Sequence, residues 1–409
     1  MPHENFIVAL DIGATKVCLL IGECSEDKIK IIGKANYQSL GIKKGIVVDL
    51  EKTIYSIEAC IEKAEKMADV AIDSAFISIG GPHIQSLNNK GLVAVSGAIR
   101  EISQDDMDRV IETAKTSFPM PPNRKCLHVL PREYTIDEQG GIRDPLGMAG
   151  TRLGVELHII TGLSTSIQNL LKCVHSAGVS EEELVFSAYA SSFAVLNEDE
   201  KELGVVLIDI GGGTTGVSIF TGGSIIFSTV LPLGGEHVSN DIAIGMRTPL
   251  EEAEKLKVNR GFAIAEEVDP NEQIEISTPG GDDVNLVHRK KLCQIIQCRM
   301  EEIFSMAKTV IQESGCIRNL SSGAVLTGGG SLLAGNQLLA EKILGLPVRL
   351  GKPGKDITGM SSDINSPIYS TAIGLLKYGM IRRQESTKQH LTSGWLEFMM
   401  SKLKKILSP

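Results

Sequence analysis

The sequence predicts a two-lobed α/β protein, and three observations carry that expectation. A strand–turn–strand unit with a carboxylate at its bend occurs twice, as "FIVALDIGATKVCLLIGE" from Phe6 to Glu23 and as "LGVVLIDIGGGTTGVSIFTGG" from Leu203 to Gly223. In both halves a third strand-like run and a helical segment follow, so Asp11 and Asp209 fall at matching places, as two copies of one lobe would put them. The length of 409 residues is also more than one hydrophobic core fills.

Taken in order, the first half offers three strands, "FIVALDI", "KVCLLIGE" and "KIKIIGKANY", separated by short turns carrying Gly or Asp. A helix is expected over "DLEKTIYSIEACIEKAEKMADV": Asp49 suits its N-cap, and Ile54, Ile57, Ile61, Ala64 and Met67 recur at helical spacing. "SAFISIGG" reads as the next strand. From about Pro82 to Ile160 the character changes. Ser103 and Asp106 suit a capping box, and "KCLHVLPREYTID" and "GVELHIITG" read as strands. A small inserted α+β subdomain accounts for this stretch better than a loop of that length.

Two later helical segments, "SAYASSFAVLN" and "SPIYSTAIGLLKYG", carry clustered small residues. Such helices let backbones cross closely, either as a pivot between lobes or in ordinary tight packing. The second half repeats the grammar of the first with "GVVLIDIGGG", "TGVSIFTGG" and "SIIFSTVLPLGG", then the helical "EHVSNDIAIGMRTPLEEAEKLKV", broken near Pro249. A strand at Ala324 to Leu326 runs into Gly328, Gly329 and Gly330, with a helix expected near Ser331.

Composition excludes several classes. A formal net charge of -9 and 4% aromatic residues argue against a nucleic-acid surface, so no such partner is expected. Eight scattered cysteines without a C-x-x-C or a His/Cys cluster at zinc-ligand spacing suit a reducing cytoplasm. No basic leader is seen, nor a run of about 20 apolar residues that would cross a bilayer.

A tight turn rich in Gly points backbone N–H groups into one concavity, which binds phosphate because no β-carbon prevents close approach. Gly13, Thr15 and Lys16 in the first copy, and Gly211, Gly212, Gly213, Thr214 and Thr215 in the second, are the residues expected there. A carboxylate beside phosphate repels it unless a cation intervenes. Asp11 and Asp209 therefore imply a divalent metal, Mg²⁺ held through water. Each "DIG" alone is also compatible with a plain hairpin turn; two copies facing one cleft favour the phosphate reading. The run Gly328, Gly329, Gly330 suits the base or sugar end of a nucleotide. Neither a Rossmann nor a P-loop glycine pattern is present.

Together these motifs resemble the actin, sugar-kinase and DnaK-type chaperone superfamily, whose fold is the two-lobed actin-like (ribonuclease H-like) ATPase fold. Within it the chain is similar to the FtsA family of bacterial cell-division actin homologues. "ALDIGATKVCLLIGE", "LHVLPREYTIDEQGGIRDPLGMAGTRL", "ASSFAVL", "LGVVLIDIGGGTTGVSIFTGG" and "YSTAIGLLKYG" carry the likeness, and the region 82–160 falls where that family has its own subdomain. The resemblance implies ATP with Mg²⁺ on the two turns and adenine beside Gly328 to Gly330. Glu254 and Lys257 match a ribose-contacting pattern of bacterial actins, or else form a solvated salt-bridging face. Actins carry Gln or Glu at the first connecting helix, where this chain has Ser187 or Ala188. Slow hydrolysis at most is therefore expected, with Asp209 the one acid near the terminal phosphate and the sole catalytic candidate.

The resemblance also implies a polymer on the inner face of the cytoplasmic membrane at the division site. It would tether the C-terminal tail of the tubulin-like protein FtsZ and recruit later division proteins through the inserted subdomain. Arg299 and Glu302 stand at positions like the family's FtsZ contact, or simply on an amphipathic helix with exposed charges. The rivals are an adaptor resembling PilM of pilus assembly and a small-molecule kinase of the same fold.

The last residues, "GWLEFMMSKLKKILSP", place Trp395, Leu396, Met399, Leu403, Ile406 and Leu407 on one helical face, with Phe398 and Met400 at its margins. Lys404 and Lys405 lie opposite, and Lys402 sits near the boundary where its stem can snorkel. At about 20 Å such a helix is too short to span a bilayer and would lie in an anionic membrane surface. Docking on its own domain is the alternative. On this reading the first lobe spans 1–81, 161–195 and 357–381, with the inserted subdomain at 82–160. The second lobe has a core at 196–226 and 304–356 and a subdomain at 227–303; a linker at 382–393 and a terminal helix at 394–409 follow.

Overall fold

The structure, a computed structural model, describes residues 6–25, 28–97, 100–117, 119–277, 284–354, 357–359 and 364–385. The chain begins with a meander of β1 (Phe6–Ile12), β2 (Lys16–Ser25) and β3 (Lys28–Gln38), followed by α1 (Leu50–Ala68) and β4 (Ser74–Ile79). The Asp49 carboxylate caps α1 by accepting from the Lys52 amide, as the sequence leads one to expect. The insertion then supplies β5 (Gln85–Ala94), α2 (Gln104–Thr116), β6 (Arg124–Ile136), β7 (Gln139–Ile142) and β8 (Arg152–Leu163). Return to the first lobe is by α3 (Ser164–Ser176) and β9 (Ser180–Phe186), and α4 (Ser187–Val195) crosses to the second lobe.

There α5 (Glu198–Leu203) precedes a second meander, β10 (Val205–Ile210), β11 (Thr215–Thr221) and β12 (Ser224–Leu231). Next come α6 (Gly235–Met246), α7 (Leu250–Arg260), the hairpin β13 (Gln273–Ser277) and β14 (Val284–His288), and the long α8 (Arg289–Glu313). The chain continues through β15 (Ala324–Thr327), α9 (Asn336–Leu344), β16 (Val348–Leu350), β17 (Ile357–Gly359) and α10 (370–385).

The two large sheets have one topology. Strand order in the first is β9-β4-β1-β2-β3-β17, and in the second β12-β11-β10-β15-β16. In each, the meander pairs antiparallel while its first strand pairs parallel with the strand that follows the helices. Strands β1 and β2 are almost continuously buried, the signature of a sheet covered on both faces. One face packs Leu10, Leu19 and Ile77 against Ile57 and Cys173 of α1 and α3. The other joins the lobes: Ile7 and Leu20 share a core with Leu207 and Val325, sealed by Ala190 of α4 and Ala372 and Leu376 of α10. A β-carbon on Gly374 would stand 1.9 Å from the Ala190 carbonyl oxygen, so α4 and α10 cross at van der Waals limit.

The insertion is a four-stranded antiparallel sheet, β5-β8-β6-β7, with α2 on one face. Its capping box is present, and Asp106 also accepts from both the amide and hydroxyl of Ser96. Although rooted in the first lobe, the insertion leans on β12: Ser86 donates to the Ser228 carbonyl at 2.6 Å and Asn88 to that of Ile226 at 3.0 Å.

Two expectations need correction, and one element is new. The glycine run does not open a helix at Ser331; a 3-10 turn spans Gly329–Leu332 and α9 begins only at Asn336, because Gly335 takes a left-handed conformation at φ +82°. Strand β9, "SEEELVF", to which the sequence analysis assigns no element, pairs parallel with β4 at the sheet's edge despite its three glutamates. Finally, α10 runs to 385 and takes in the first four residues of the linker expected at 382–393, where Arg382 and Arg383 bind Glu183 and Glu182 of β9. The rest of that linker and the amphipathic helix at 394–409, including Trp395 to Leu407, lie outside the described residues. Among the described residues no helix is long and apolar enough to cross a membrane.

Candidate nucleotide site between the lobes

The two β-hairpin turns face each other across a cavity of about 440 Å³. Asp11, Gly13, Thr15 and Lys16 line it from the first lobe, and Asp209 with Gly211, Gly212, Gly213 and Thr214 from the second. Glu254 and Lys257 of α7 and the run Gly328, Gly329, Gly330 complete the wall, so residues more than 300 positions apart meet in one place.

The turns are built alike. The Gly13 amide donates to the Lys16 carbonyl at 3.0 Å, and the Gly211 amide to that of Thr214 at 2.9 Å. The second glycine group also closes the lobes. A β-carbon on Gly212 would lie 2.3 Å from Thr15 Cγ2, and one on Gly213 would lie 2.9 Å from Ala14 Cβ. Thr215, expected to offer a hydroxyl, is instead buried and donates to the Leu233 carbonyl at 2.8 Å. Lys16 extends across the cavity: its Nζ donates to the Ile368 carbonyl at 2.8 Å and lies 4.4 Å from the Tyr369 ring centroid. An ammonium has three donors, so others stay available to a ligand.

The two carboxylates are held by hydroxyls. Ser78 donates to Asp11 Oδ1 at 2.7 Å and Ser191 to Asp209 Oδ2 at 2.6 Å. Burial pushes the Asp11 carboxyl above its usual range, opposed by Lys16 and the Ser78 bond. Asp209 is pushed up to about 6 by burial, opposed by the Ser191 bond and raised further by the charge on Asp11. Gly328, at φ +80°, lies against Asp209; a β-carbon there would stand 2.4 Å from Oδ1. Two such carboxylates ionise at a cost that a cation between them removes. Among the described residues no cluster of three or more His, Cys, Asp or Glu could hold a metal. Asp11 and Asp209 are thus the two carboxylates of the cavity that are held by serine hydroxyls and raised by burial.

At the other end, Lys257 Nζ binds Glu254 at 2.7 Å, the Gly235 carbonyl at 3.0 Å and Ser239 at 2.9 Å, while Ser239 donates to Glu254. The pair forms a salt bridge on the cavity wall, with Lys257 half-buried and Glu254 exposed. Glu236 also lines the cavity, with burial raising its pKa against the pull of Lys257. Glu236 is therefore a further acid on the cavity wall that the sequence analysis did not single out. Ser187 lines the cavity, whereas Ala188 packs against Gly216. Sequence reasoning missed Ser78, Ser191, Thr371 and Glu236; only Glu236, directly after a Gly-Gly that opens a helix, carried a local signal. Arg299 and Glu302 lie away from the cavity on α8, where Arg299 binds both Glu302 and, bidentately at 2.6 and 3.0 Å, Asp241 of α6.

The fold is shared with solved structures of low sequence identity. The PilM-PilN type IV pilus biogenesis complex aligns with a TM-score of 0.67 at 16% identity, covering 92% of this chain and 99% of that one. MreB5 of Spiroplasma citri bound to ADP aligns at 0.53 and 14% identity, covering 90% and 95%. Two lobes of one topology around a shared cavity, matched to these neighbours, define an actin-like protein. Sequence comparison narrows the class. A model of the cell division protein FtsA matches residues 206–374, and one of the SHS2 domain inserted in FtsA matches 81–161. The cell division protein FtsA of Pseudomonas aeruginosa is 40% identical over 93% of this chain and 91% of its own. That of Escherichia coli K12 is 36% identical over 98% of both. The chain belongs to the FtsA family of cell division proteins.

Proposed function

We propose that this chain is an ATP-binding, actin-like cell-division protein that polymerises on the cytoplasmic face of the membrane and tethers the FtsZ ring there. The observation that carries the reading is the convergence of Asp11 and Asp209, with their glycine turns, on one cavity in a chain of this family. Asp11 and Asp209 would hold Mg²⁺ through water, and the ion would offset the phosphate charge beside them. The chain's own residues supply the rest. Gly13 and Gly211 to Gly213 bring no β-carbon to the cavity, Lys16 spans it, and Glu254, held in place by Lys257, offers a carboxylate to the ribose hydroxyls. Gly328 to Gly330 flank the adenine end. Ser187 is no base at neutral pH, so the site favours retention of ATP over turnover. Arg299 and Glu302 form the contact for the FtsZ C-terminal tail, the insertion serves later division proteins, and Trp395 to Leu407 form the membrane helix.

Co-sedimentation with anionic vesicles in Mg-ATP tests the reading, comparing the full chain with one ending at Ser393. The full chain is expected to pellet and to carry FtsZ with it, and the shortened chain to stay in solution. Equal pelleting of both, or of neither, overturns the tether.

A further inference from the structure

The two cavity carboxylates differ in what holds them. Asp11 is fixed from within its own lobe, by Ser78 of β4, whose hydroxyl also accepts from the Ile12 amide at 3.0 Å. Asp209 is fixed by the helices that join the lobes. Ser191 of α4 donates to its Oδ2 at 2.6 Å, and Ser191 in turn lies 3.0 Å from the Thr371 hydroxyl of α10. A serine hydroxyl has one hydrogen, and here it is given to Asp209; the Thr371 hydroxyl beside it acts on the same carboxylate as a hydrogen-bonding group. The carboxylate's other oxygen faces the α-carbon of Gly328, where no side chain fits.

These hydroxyls also sit where α4 and α10 cross. Ser191 follows Ala190, whose carbonyl is the contact for Gly374, and Thr371 is one helical turn before Gly374. The Ser191–Thr371 contact therefore joins the two helices beside their closest approach. Ser191 is fully buried and makes no other side-chain bond that would explain a hydroxyl at this place.

We infer that Ser191 and Thr371 are positioning residues for Asp209, fixing its carboxylate toward the cavity and making metal–nucleotide affinity depend on how α4 and α10 cross. The inference rests on the nucleotide reading of the cavity. Hydrogen bonds to a charged carboxylate are the stronger kind, so losing one alters its orientation and its partner's affinity together.

The test is calorimetric titration of the purified full chain with ATP, once with Mg²⁺ and once with EDTA, on the parent, Ser191→Ala, Thr371→Val and Thr371→Ser. Ser191→Ala is expected to weaken Mg-ATP binding about tenfold. Metal-free binding should change far less. Thr371→Val should weaken the Mg²⁺-dependent part by a smaller factor, and Thr371→Ser should restore it. Thermal unfolding of each variant in the absence of ligand reports whether the fold survives; the valine variant keeps the shape of threonine, so it stands in should the alanine one unfold. Mg-ATP binding equal to the parent in both hydroxyl-free variants overturns the inference, as does equal loss with and without Mg²⁺. A parent that binds no ATP under either condition overturns the nucleotide reading itself, and the inference with it.

Discussion

The two lobes carry the same turn in different surroundings. Each closes with one Gly amide bonded to a carbonyl three residues on, and in each a β-carbon on that glycine would stand 3.1 Å from the same carbonyl oxygen. Beyond the turn the likeness stops. The first is supported by the end of β3, where the Ser39 amide donates to Thr15 at 3.0 Å. The second is backed by the start of α6, whose Gly235 and Glu236 amides each donate to turn carbonyls at 2.9 Å. The helix's first donors are thereby spent on the protein and are not offered to a ligand. Duplication preserved what the local sequence dictates, while the packing around each copy assigned one aspartate to a rigid lobe and the other to the junction between lobes.

The junction is where that comparison breaks most easily. Gly374→Ala would place a methyl on the Ala190 carbonyl, and no rotamer relieves a β-carbon clash with backbone. A loss of about 3 kcal/mol is expected in denaturant unfolding, with weakened nucleotide binding because Asp209 moves with the crossing. A variant that unfolds like the parent would show that the lobes are free to separate there.

A second break separates contact between lobes from contact with ligand. Gly212→Ala meets the Thr15 side chain of the opposite lobe and should cost about 2 kcal/mol. Thr15→Ala removes the methyl it meets, so the double variant should recover most of the loss. Neighbours in contact are coupled in this way, whereas a purely phosphate-binding glycine would give additive effects.

Asp209 sharpens the comparison electrostatically. Its folded pKa of about 6 lies above the ordinary carboxylate value, so protonation favours the ligand-free fold. That stabilisation is fully present below pH 4 and is lost as pH rises through 6. Asp209→Asn keeps the Ser191 bond without the charge. The ligand-free variant should therefore be more stable than the parent at pH 7, with the difference vanishing below pH 4. Asp11→Asn should act in the same direction. Urea midpoints across pH, measured in EDTA, read both; a variant less stable than its parent at pH 7 contradicts the strained-carboxylate account.

Much of this was legible because it is local. Alternating and continuous apolar runs mark both meanders, Asp49 and Ser103 mark helix starts, and the repeated "DIG" marks the site. What stayed hidden depends on pairings the chain makes at long range. Ser191 and Thr371 are 180 positions apart, and neither sits in a pattern that predicts a hydroxyl facing Asp209. The closing role of Gly212 and Gly213 depends on Ala14 and Thr15 of the other lobe, so the glycine run alone reads as phosphate-binding. Strand β9 was obscured by its glutamates, two of which face Arg382 and Arg383 of α10, and the same pairs carry that helix past its expected end.

The smallest expected effect tests the duplication itself. Gly13→Ala and Gly211→Ala place a β-carbon at the same distance from the same carbonyl, and neither glycine has a positive φ. Each should cost about 1 kcal/mol or less, since the neighbour must yield by only a few tenths of an ångström. If the turns are equivalent units, the two losses agree within about 0.5 kcal/mol in the ligand-free protein. Binding of Mg-ATP should then separate them, because the Gly211 turn is pinned from behind by α6 and cannot retreat, whereas the Gly13 turn has only Ser39 behind it. A larger affinity loss for Gly211→Ala at equal stability would locate the rigid half of the clamp in the second lobe; the reverse order would place it in the first.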